Sequence, residues 1–427
     1  MGFICFNRQP IMNYPIDTIR TRFPALHQAD EHGQLPLLLD GPGGSQVPQC
    51  VLDALLGYLG RYNSNLGGHA EAGRRTQAVN EQARSAAADW LGCAADEIVF
   101  GLNSTSLMFN LSRAVAQTWQ PGDNIVLSSL DHYSHVSSWQ RAAEDMGVEV
   151  RLLPLNAEGS DLDYAALPRL LDARTRLLAF TLASNVLGTF SQASSLVQAA
   201  RAVGAWVSVD AVHAAVHRLP DVQALDCDFL FASAYKLGGP HLGMCYGKRQ
   251  HWQNLRPYKV EPAAETVPNR WEQGTQSFEA QAGFIAMVDY WAGLGGSEGS
   301  RRERLQTAYR QVAAYEQDLN RIVLQGFAER PYVQLYGLSA AEGRTPTFAF
   351  NIVKNGKVQP AAPVSQWFGR RNVALGNGNF YALAVSRHLG LGDEGFLRIG
   401  CLHYTSHAEI ERFFSLLDQC AAELGYR

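Results

Sequence analysis

The sequence is short of lysine, of net charge and of long apolar runs. Of its 36 basic residues only five are lysines (Lys236, Lys248, Lys259, Lys354 and Lys357), so arginine supplies the ordinary surface cations. A lysine set in an apolar context therefore stands out. Forty acidic residues bring the net charge to -4 and no run of like charge occurs, which excludes the electrostatic footprint of a nucleic-acid binder. No stretch of about 18 apolar residues exists to span a bilayer, so no membrane association is expected. The opening MGFICFNRQP lacks the apolar core of a secretory signal, and Phe6 stands where a myristoylation signal needs serine or threonine. The seven cysteines (Cys5, Cys50, Cys93, Cys227, Cys245, Cys401 and Cys420) are odd in number and scattered, with neither a CxxC pair nor metal-ligand spacing. They read as buried thiols of a cytoplasmic protein that holds no metal.

What the chain does have is length and apolar content. With 427 residues, 46% of them hydrophobic, it should form two or three structural units with a substantial core. Helical spacing over 77–91 gives way to the apolar run EIVFGLNST at 97–105, and the alternation then repeats. Helices are expected near 106–118, 137–146, 163–171 and 195–203, between strands at 124–130, 148–155, 176–184 and 205–211. Such alternation predicts an α/β fold with a mostly parallel sheet covered on both faces. The runs FLFASAY (229–235) and GMCYGK (243–248), joined by a Gly/Pro-rich link, resemble a hairpin-like pair at the sheet edge. Helical spacing over 280–323 includes the charged run SRRERLQTAYR, which reads as a solvated helix face. The expected organisation is an N-terminal segment (1–34) packing with the small unit, a large unit (35–295) and a smaller α+β C-terminal unit (296–427).

Small and polar residues cluster at the carboxyl ends of the expected strands, where open α/β sheets bind ligands. Asn103, Ser104 and Thr105 either hold a phosphate at the positive end of a helix or simply cap it. His132 and Asn185 end two further strands, the first a ligand contact or a hydrogen-bonded structural histidine, the second a donor to a ligand or an Asx turn. Asp210, in VSVDAVHAAVH, is a carboxylate at the end of an apolar run. There it needs a positive partner unless it caps the next helix. His213, three residues on, lies about one helical turn away and can address the same ligand. Lys236, in FLFASAYKLGGPHLG, follows an apolar strand, a setting that lowers an amine's pKa and makes it a nucleophile toward carbonyls. A carboxylate on one strand end and a lysine 26 residues later on another is the arrangement pyridoxal phosphate requires. The lysine forms the Schiff base, and the carboxylate keeps the pyridine nitrogen protonated so that the ring accepts electrons.

The ordered series DGPGG, NSTS, DHYSH with the later Trp139-Gln140, SNVLGT, VDAVH, SAYKLGGPHLG, WEQGTQ and LRIGCLHYTS spans about residues 35–415. It resembles the class V aminotransferase-fold enzymes, particularly their cysteine desulfurase and selenocysteine lyase-like branch. The resemblance implies a fold type I pyridoxal phosphate enzyme whose large unit binds the cofactor, with Lys236 as the Schiff-base lysine and Asp210 as the partner of the pyridine nitrogen. It places His132 on the cofactor ring, Asn185 beside the ring and substrate, and Asn103, Ser104, Thr105 and Ser233 at the phosphate. His213 stands where these enzymes often have a glutamine near the phenolic oxygen, and Tyr235 where many desulfurases have a histidine. Thr275 resembles the residue that reaches a neighbouring subunit's phosphate, which implies a homodimer with shared active sites. Arg398 resembles the arginine that holds a substrate's α-carboxylate.

One departure bears on the reaction. The persulfide cysteine of the desulfurases belongs some 15–20 residues before this arginine, but here residues 373–385 read VALGNGNFYALAV and contain no cysteine. Asn377, Asn379 and Tyr381 become candidates for substrate contact, or else form an ordinary Gly/Asn turn. The expectation is a pyridoxal phosphate lyase that acts on an α-amino acid by breaking a bond at Cβ without a persulfide cysteine. Class V transamination uses the same carbanion and stays open, as does a cofactor-binding scaffold without turnover. A nicotinamide oxidoreductase is disfavoured because GPGGS at 41–45 is not GxGxxG and lacks the βαβ setting.

Overall fold

The alternation read from the sequence becomes one seven-stranded sheet in the computed structural model, which describes residues 14–427. Cys5 and the reading of Met1, Gly2 and Phe6 as a non-signal lie outside the described residues. The strand order is Ile98–Gly101, Gly243–Gly247, Phe229–Ser233, Trp206–Asp210, Thr175–Thr181, Asn124–Ser128 and Glu149–Leu153. Neighbours from Phe229–Ser233 to Glu149–Leu153 run parallel, and Gly243–Gly247 runs antiparallel to both of its neighbours, Phe229–Ser233 and Ile98–Gly101. The central strands read as continuous apolar runs because helices cover both of their faces. Every residue of Asn124–Ser128 and of Phe229–Ser233 is buried. Phe229–Ser233 and Gly243–Gly247 do pair as a hairpin, but not at the edge, which Ile98–Gly101 occupies by pairing with Gly243–Gly247.

Aromatic and aliphatic side chains fill both faces of this sheet. One cluster includes Trp90, Phe100, Phe180, Phe284 and Trp291, and the other Met108, Trp119, Trp139, Phe231 and Trp252. The helix expected from residue 77 begins a turn and a half earlier, at Glu71–Leu91, and the helix expected at 163–171 is a short turn followed by Leu167–Leu170 with Pro168 near its start. The charged run after Ser300 is more than a solvated face. Ser300 and Glu303 form a reciprocal cap for Arg301–Ala328. Arg301 pairs with Asp89 and Asp289, and Arg302 pairs with Asp221 and donates to the Trp90 carbonyl, tying this helix back to the large unit.

The C-terminal sheet is antiparallel, in the order Lys357–Val358, Thr347–Lys354, Phe396–Gly400 and Gly376–Gly378, with Val333–Tyr336 also paired to Thr347–Lys354. Its own core holds Phe348, Phe350, Trp367, Phe368 and Phe413. Leu37 and Leu39 are buried in this core too, and Leu37–Leu38 pairs parallel with Val373–Ala374. Asp40 bridges Gly400 of the last strand, and the DGPGG turn that follows reaches Tyr235 and Lys236 beside the seven-stranded sheet. Of the cysteines read as buried, Cys227, Cys245, Cys401 and Cys420 are, whereas Cys50 is exposed and Cys93 half-buried; all six are free. No helix among the described residues is long and apolar enough to cross a membrane.

Candidate active site

A cavity of about 380 Å³ opens where strand ends of the large sheet meet the Asp40–Gly44 turn and the C-terminal loop at 376–381. It gathers most of the residues singled out above: Asn103, Ser104, Thr105, His132, Asn185, Asp210, His213, Ser233, Tyr235, Lys236, Tyr381 and Arg398 all line it. Thr275 does not; it is exposed on the loop before the helix Phe278–Leu294. Asn379 is absent as well, because its carboxamide accepts the Tyr381 N–H within its own turn and Phe380 takes the place in the wall.

Lys236 closes the short turn Ala234–Lys236 directly after the buried strand Phe229–Ser233, which fixes its amine inside the protein. Burial and then the nearby Arg398 charge lower its pKa to about 7, against the opposing pull of Asp40 and Asp210. A good fraction of the amine is thus neutral and nucleophilic near neutral pH. It donates to the Pro42 carbonyl and lies 4.9 Å from the centre of the Tyr235 ring. Tyr235 itself stacks on His241 at 5.1 Å.

Asp210 ends the strand Trp206–Asp210 and is buried, and burial raises its pKa to about 6. The Val212 N–H satisfies only its Oδ1, at 2.8 Å. Beneath it runs a chain the sequence reading missed. His135 Nδ1 lies 2.6 Å from Asp131 Oδ1 and its Nε2 lies 2.8 Å from Ser208 Oγ, while Asp131 Oδ2 accepts the Thr181 N–H. The i,i+4 spacing of Asp131 and His135 was the available signal, in the same DHYSH segment that yielded His132. Burial, followed by the charges of Lys236 and Arg398, holds His132 near a pKa of about 4, so its imidazole is neutral. His213 is neutral for the same first reason, with its Nε2 between the hydroxyls of Thr345 (3.2 Å) and Thr347 (3.1 Å).

The phosphate candidates divide. The Asn103 side chain caps the helix Ser104–Ala116 by accepting the Ser106 N–H, and Ser104 Oγ donates to the Ala232 carbonyl, so both side chains serve the fold. What they position is the start of a 13-residue helix whose first residues, Ser104 and Thr105, line the cavity. Gly243 allows this closeness, since a Cβ there would collide with the Asn103 backbone. Ser233 Oγ and the Thr105 side chain remain as hydroxyls of the wall.

On the opposite side, Arg398 comes from the strand Phe396–Gly400 and is 3% exposed. Its terminal nitrogens donate to the Asn185 carbonyl at 3.0 Å and to Asp40 Oδ1 at 2.6 Å, and its guanidinium lies 3.8 Å from the centre of the Phe380 ring. Burial lowers the Arg398 pKa, and Asp40 opposes this. Asn185 also donates to the Phe380 carbonyl, and the Tyr133 N–H to the Tyr381 carbonyl, so the 376–381 loop is held down at two points. Asp40 and Phe380 are site residues that sequence reasoning passed over. For Asp40 the signal was an acid immediately before a Gly/Pro-rich turn.

The aminotransferase class V family model matches residues 37–413. The chain belongs to this family. Class V aminotransferase enzymes depend on pyridoxal phosphate, and this chain falls in their cysteine desulfurase branch: it is 33% identical to a cysteine desulfurase of Pectobacterium carotovorum subsp. carotovorum over 97% of its own length and all of the relative's. Its fold matches a cysteine desulfurase from Thermococcus onnurineus NA1, with a TM-score of 0.84, 23% identity, and 96% and 98% of the two chains covered. A cysteine desulfurase from Escherichia coli gives 0.82, with 24% identity and 97% and 99% covered. The class V, fold type I architecture expected from the motifs is the one this chain has.

Proposed function

We propose that this class V enzyme is a lyase that breaks a bond at Cβ of an α-amino acid, with Lys236 as proton carrier, and releases the Cβ substituent without a persulfide cysteine. The observation that carries the reading is the composition of the cavity wall: a buried amine, a buried carboxylate and a buried guanidinium converge there, and no cysteine is among the lining residues. The free polar atoms of the wall fit pyridoxal phosphate. Asp210 is a buried carboxylate that lacks a bonded cation, which suits a protonated ring nitrogen. Asn185 Oδ1 and His213 Nδ1 are buried without hydrogen-bond partners among the described residues, and the helix start at Ser104 suits the phosphate. Bound there, the cofactor supplies an electron sink for a carbanion at Cα.

The protein's own groups supply the rest. Lys236 would hold the cofactor through its aldehyde, and its amine, with a pKa lowered to about 7, is a base suited to take and return the Cα proton. Arg398 holds the α-carboxylate through charge-assisted bonds, which keeps the Cα–H directed at the lysine. Neutral His132, which lines the same cavity, would stack on the cofactor ring without adding positive charge to it. Phe380, packed on Arg398, and Tyr381 line the pocket from the segment in which the resemblance would place a desulfurase's loop cysteine. Thr275, exposed and away from this chain's own cavity, is assigned to a partner subunit's phosphate in a homodimer, and a cytoplasmic setting agrees with the six free cysteines. The reaction is tested by incubating the holoenzyme with an amino-acid panel and assaying pyruvate, sulfide and keto acid. Pyruvate and ammonia in equal amounts with the released substituent are expected. Stoichiometric keto acid with transfer of the amine to an acceptor would reject the lyase in favour of a transaminase.

A further inference from the structure

The carboxylate receptor of this cleft already has a carboxylate in it. Arg398 is one partner of a 2.6 Å ion pair with Asp40, while its second terminal nitrogen is engaged by the Asn185 carbonyl. Its Nε is buried and unpartnered. The guanidinium thus has a donor to spare but no net charge to offer while Asp40 stays. The two partners differ in freedom: the Arg398 side chain is 3% exposed, clamped by Phe380 and backbone, whereas the Asp40 side chain is 31% exposed. If one partner gives way, it is Asp40, which has a route to solvent.

The turn around Asp40 is shaped for this contact. A Cβ at Gly43 would strike the Asp40 carboxylate, so the DGPGG glycine makes room for the acid to fold back toward Arg398. The same turn supplies the Pro42 carbonyl that accepts from Lys236. One short segment therefore engages both the buried amine and the buried guanidinium.

We propose that Asp40 is an internal competitor for the substrate's carboxylate: it occupies Arg398 in the free enzyme and must leave when an amino acid binds, which sets the threshold for carboxylate-bearing ligands. This rests on the reading that Arg398 receives the α-carboxylate. Two carboxylates around one buried guanidinium leave one negative charge unpaired, and such like-charge crowding is costly in a dry site. Binding of a carboxylate ligand is consequently weaker than Arg398 alone would give, and a ligand lacking the carboxylate is spared that penalty.

The test compares two probes on the holoenzyme, glycine and the neutral glycinamide, with binding read from the change in cofactor absorbance. Asp40→Asn keeps the shape and removes the charge; it is expected to tighten glycine by about tenfold while moving glycinamide by less than about twofold. Asp40→Ser, which has no side-chain carbonyl to reach Arg398, should shift the glycine-to-glycinamide ratio in the same direction. A glycine affinity that falls relative to glycinamide in both variants overturns the proposal and makes Asp40 a buttress of Arg398. An unchanged ratio overturns it also, as does a holoenzyme that answers neither probe in any form. Arg398→Gln separates the two readings: if the glycine-to-glycinamide affinity ratio there equals that of the wild type, the assignment of Arg398 itself fails, whatever Asp40 does.

Discussion

The two sides of the cleft are held by different means. Asp210 and Ser233 end strands that are buried except at Trp206, and Lys236 follows in the turn Ala234–Lys236, in a sheet braced by the Asp131–His135–Ser208 chain. The facing side adds Arg398, from the strand Phe396–Gly400, to two turn segments, Asp40–Gly44 and 379–381, which meet the cleft through a few hydrogen bonds and one ion pair. Phe380 and Tyr381 adopt left-handed backbone with φ of 51° and 60°, and Tyr381 is 69% exposed. Non-glycine residues there cost on the order of 1–2 kcal/mol each. The contrast teaches that one side of the cleft is fixed by buried strands, while the other depends on short turns with left-handed backbone and few contacts.

Removing the amine is the hardest break of this comparison. Lys236→Ala should lower turnover by about a thousandfold or more, measured as initial rate on the best panel substrate, while leaving the fold intact by circular dichroism. The same amine predicts a pH dependence for the cofactor-free protein. Only the neutral form attacks an aldehyde, so with a pKa lowered to about 7 the rate of cofactor uptake should rise through neutral pH and then level off. A rate still climbing near pH 10 would place the amine in water, contrary to its burial.

Behind the amine, His135→Ala leaves Asp131 and Ser208 without their buried partner. The expected loss is about 2–4 kcal/mol, read from denaturant unfolding. Asp210 gives a subtler signature. Its folded pKa of about 6 lies above the ordinary 3.8, so between those values the folded chain holds a proton the unfolded chain has lost. Its contribution to stability therefore falls as pH rises from about 4 to about 6 and is at its most unfavourable above that window. In the cofactor-free protein, Asp210→Asn should gain in Tm over wild type across this window and keep the gain above it. The loop side should be least sensitive in stability: Tyr381→Gly relieves left-handed strain and removes an exposed ring, for a net change within about 1 kcal/mol, while KM for the best substrate shifts.

The same contrast explains what could be read in the sequence. Strand ends announce themselves, because an apolar run that stops at Asp210 or just short of Lys236 leaves a polar group where the sheet ends, and the alternation of strands with helices implies a mostly parallel sheet but not the order of its strands. Asn103 and Ser104 were legible as a helix start, but not as side chains already engaged by Ser106 and Ala232, since capping and phosphate binding ask for the same residue types. Asn379 and Phe380 illustrate the limit. Which of two neighbours faces a cleft depends on one turn's backbone angles, and a carboxamide that bonds its own turn looks no different in sequence from one that binds a ligand. Asp40 was hidden for another reason: its partner Arg398 lies 358 residues away, brought near by the Asp40–Gly400 bridge between the chain's beginning and its last strand.

The central claim is that Lys236 carries the cofactor of this class V enzyme. The most direct measurement is borohydride reduction of the reconstituted protein followed by peptide mass mapping, beside Lys236→Ala. The account predicts pyridoxyl phosphate fixed to the peptide containing Lys236 and no fixed cofactor in the variant. A reconstituted wild type with no adduct, or with the adduct on Lys248, Lys259, Lys354 or Lys357, would contradict it.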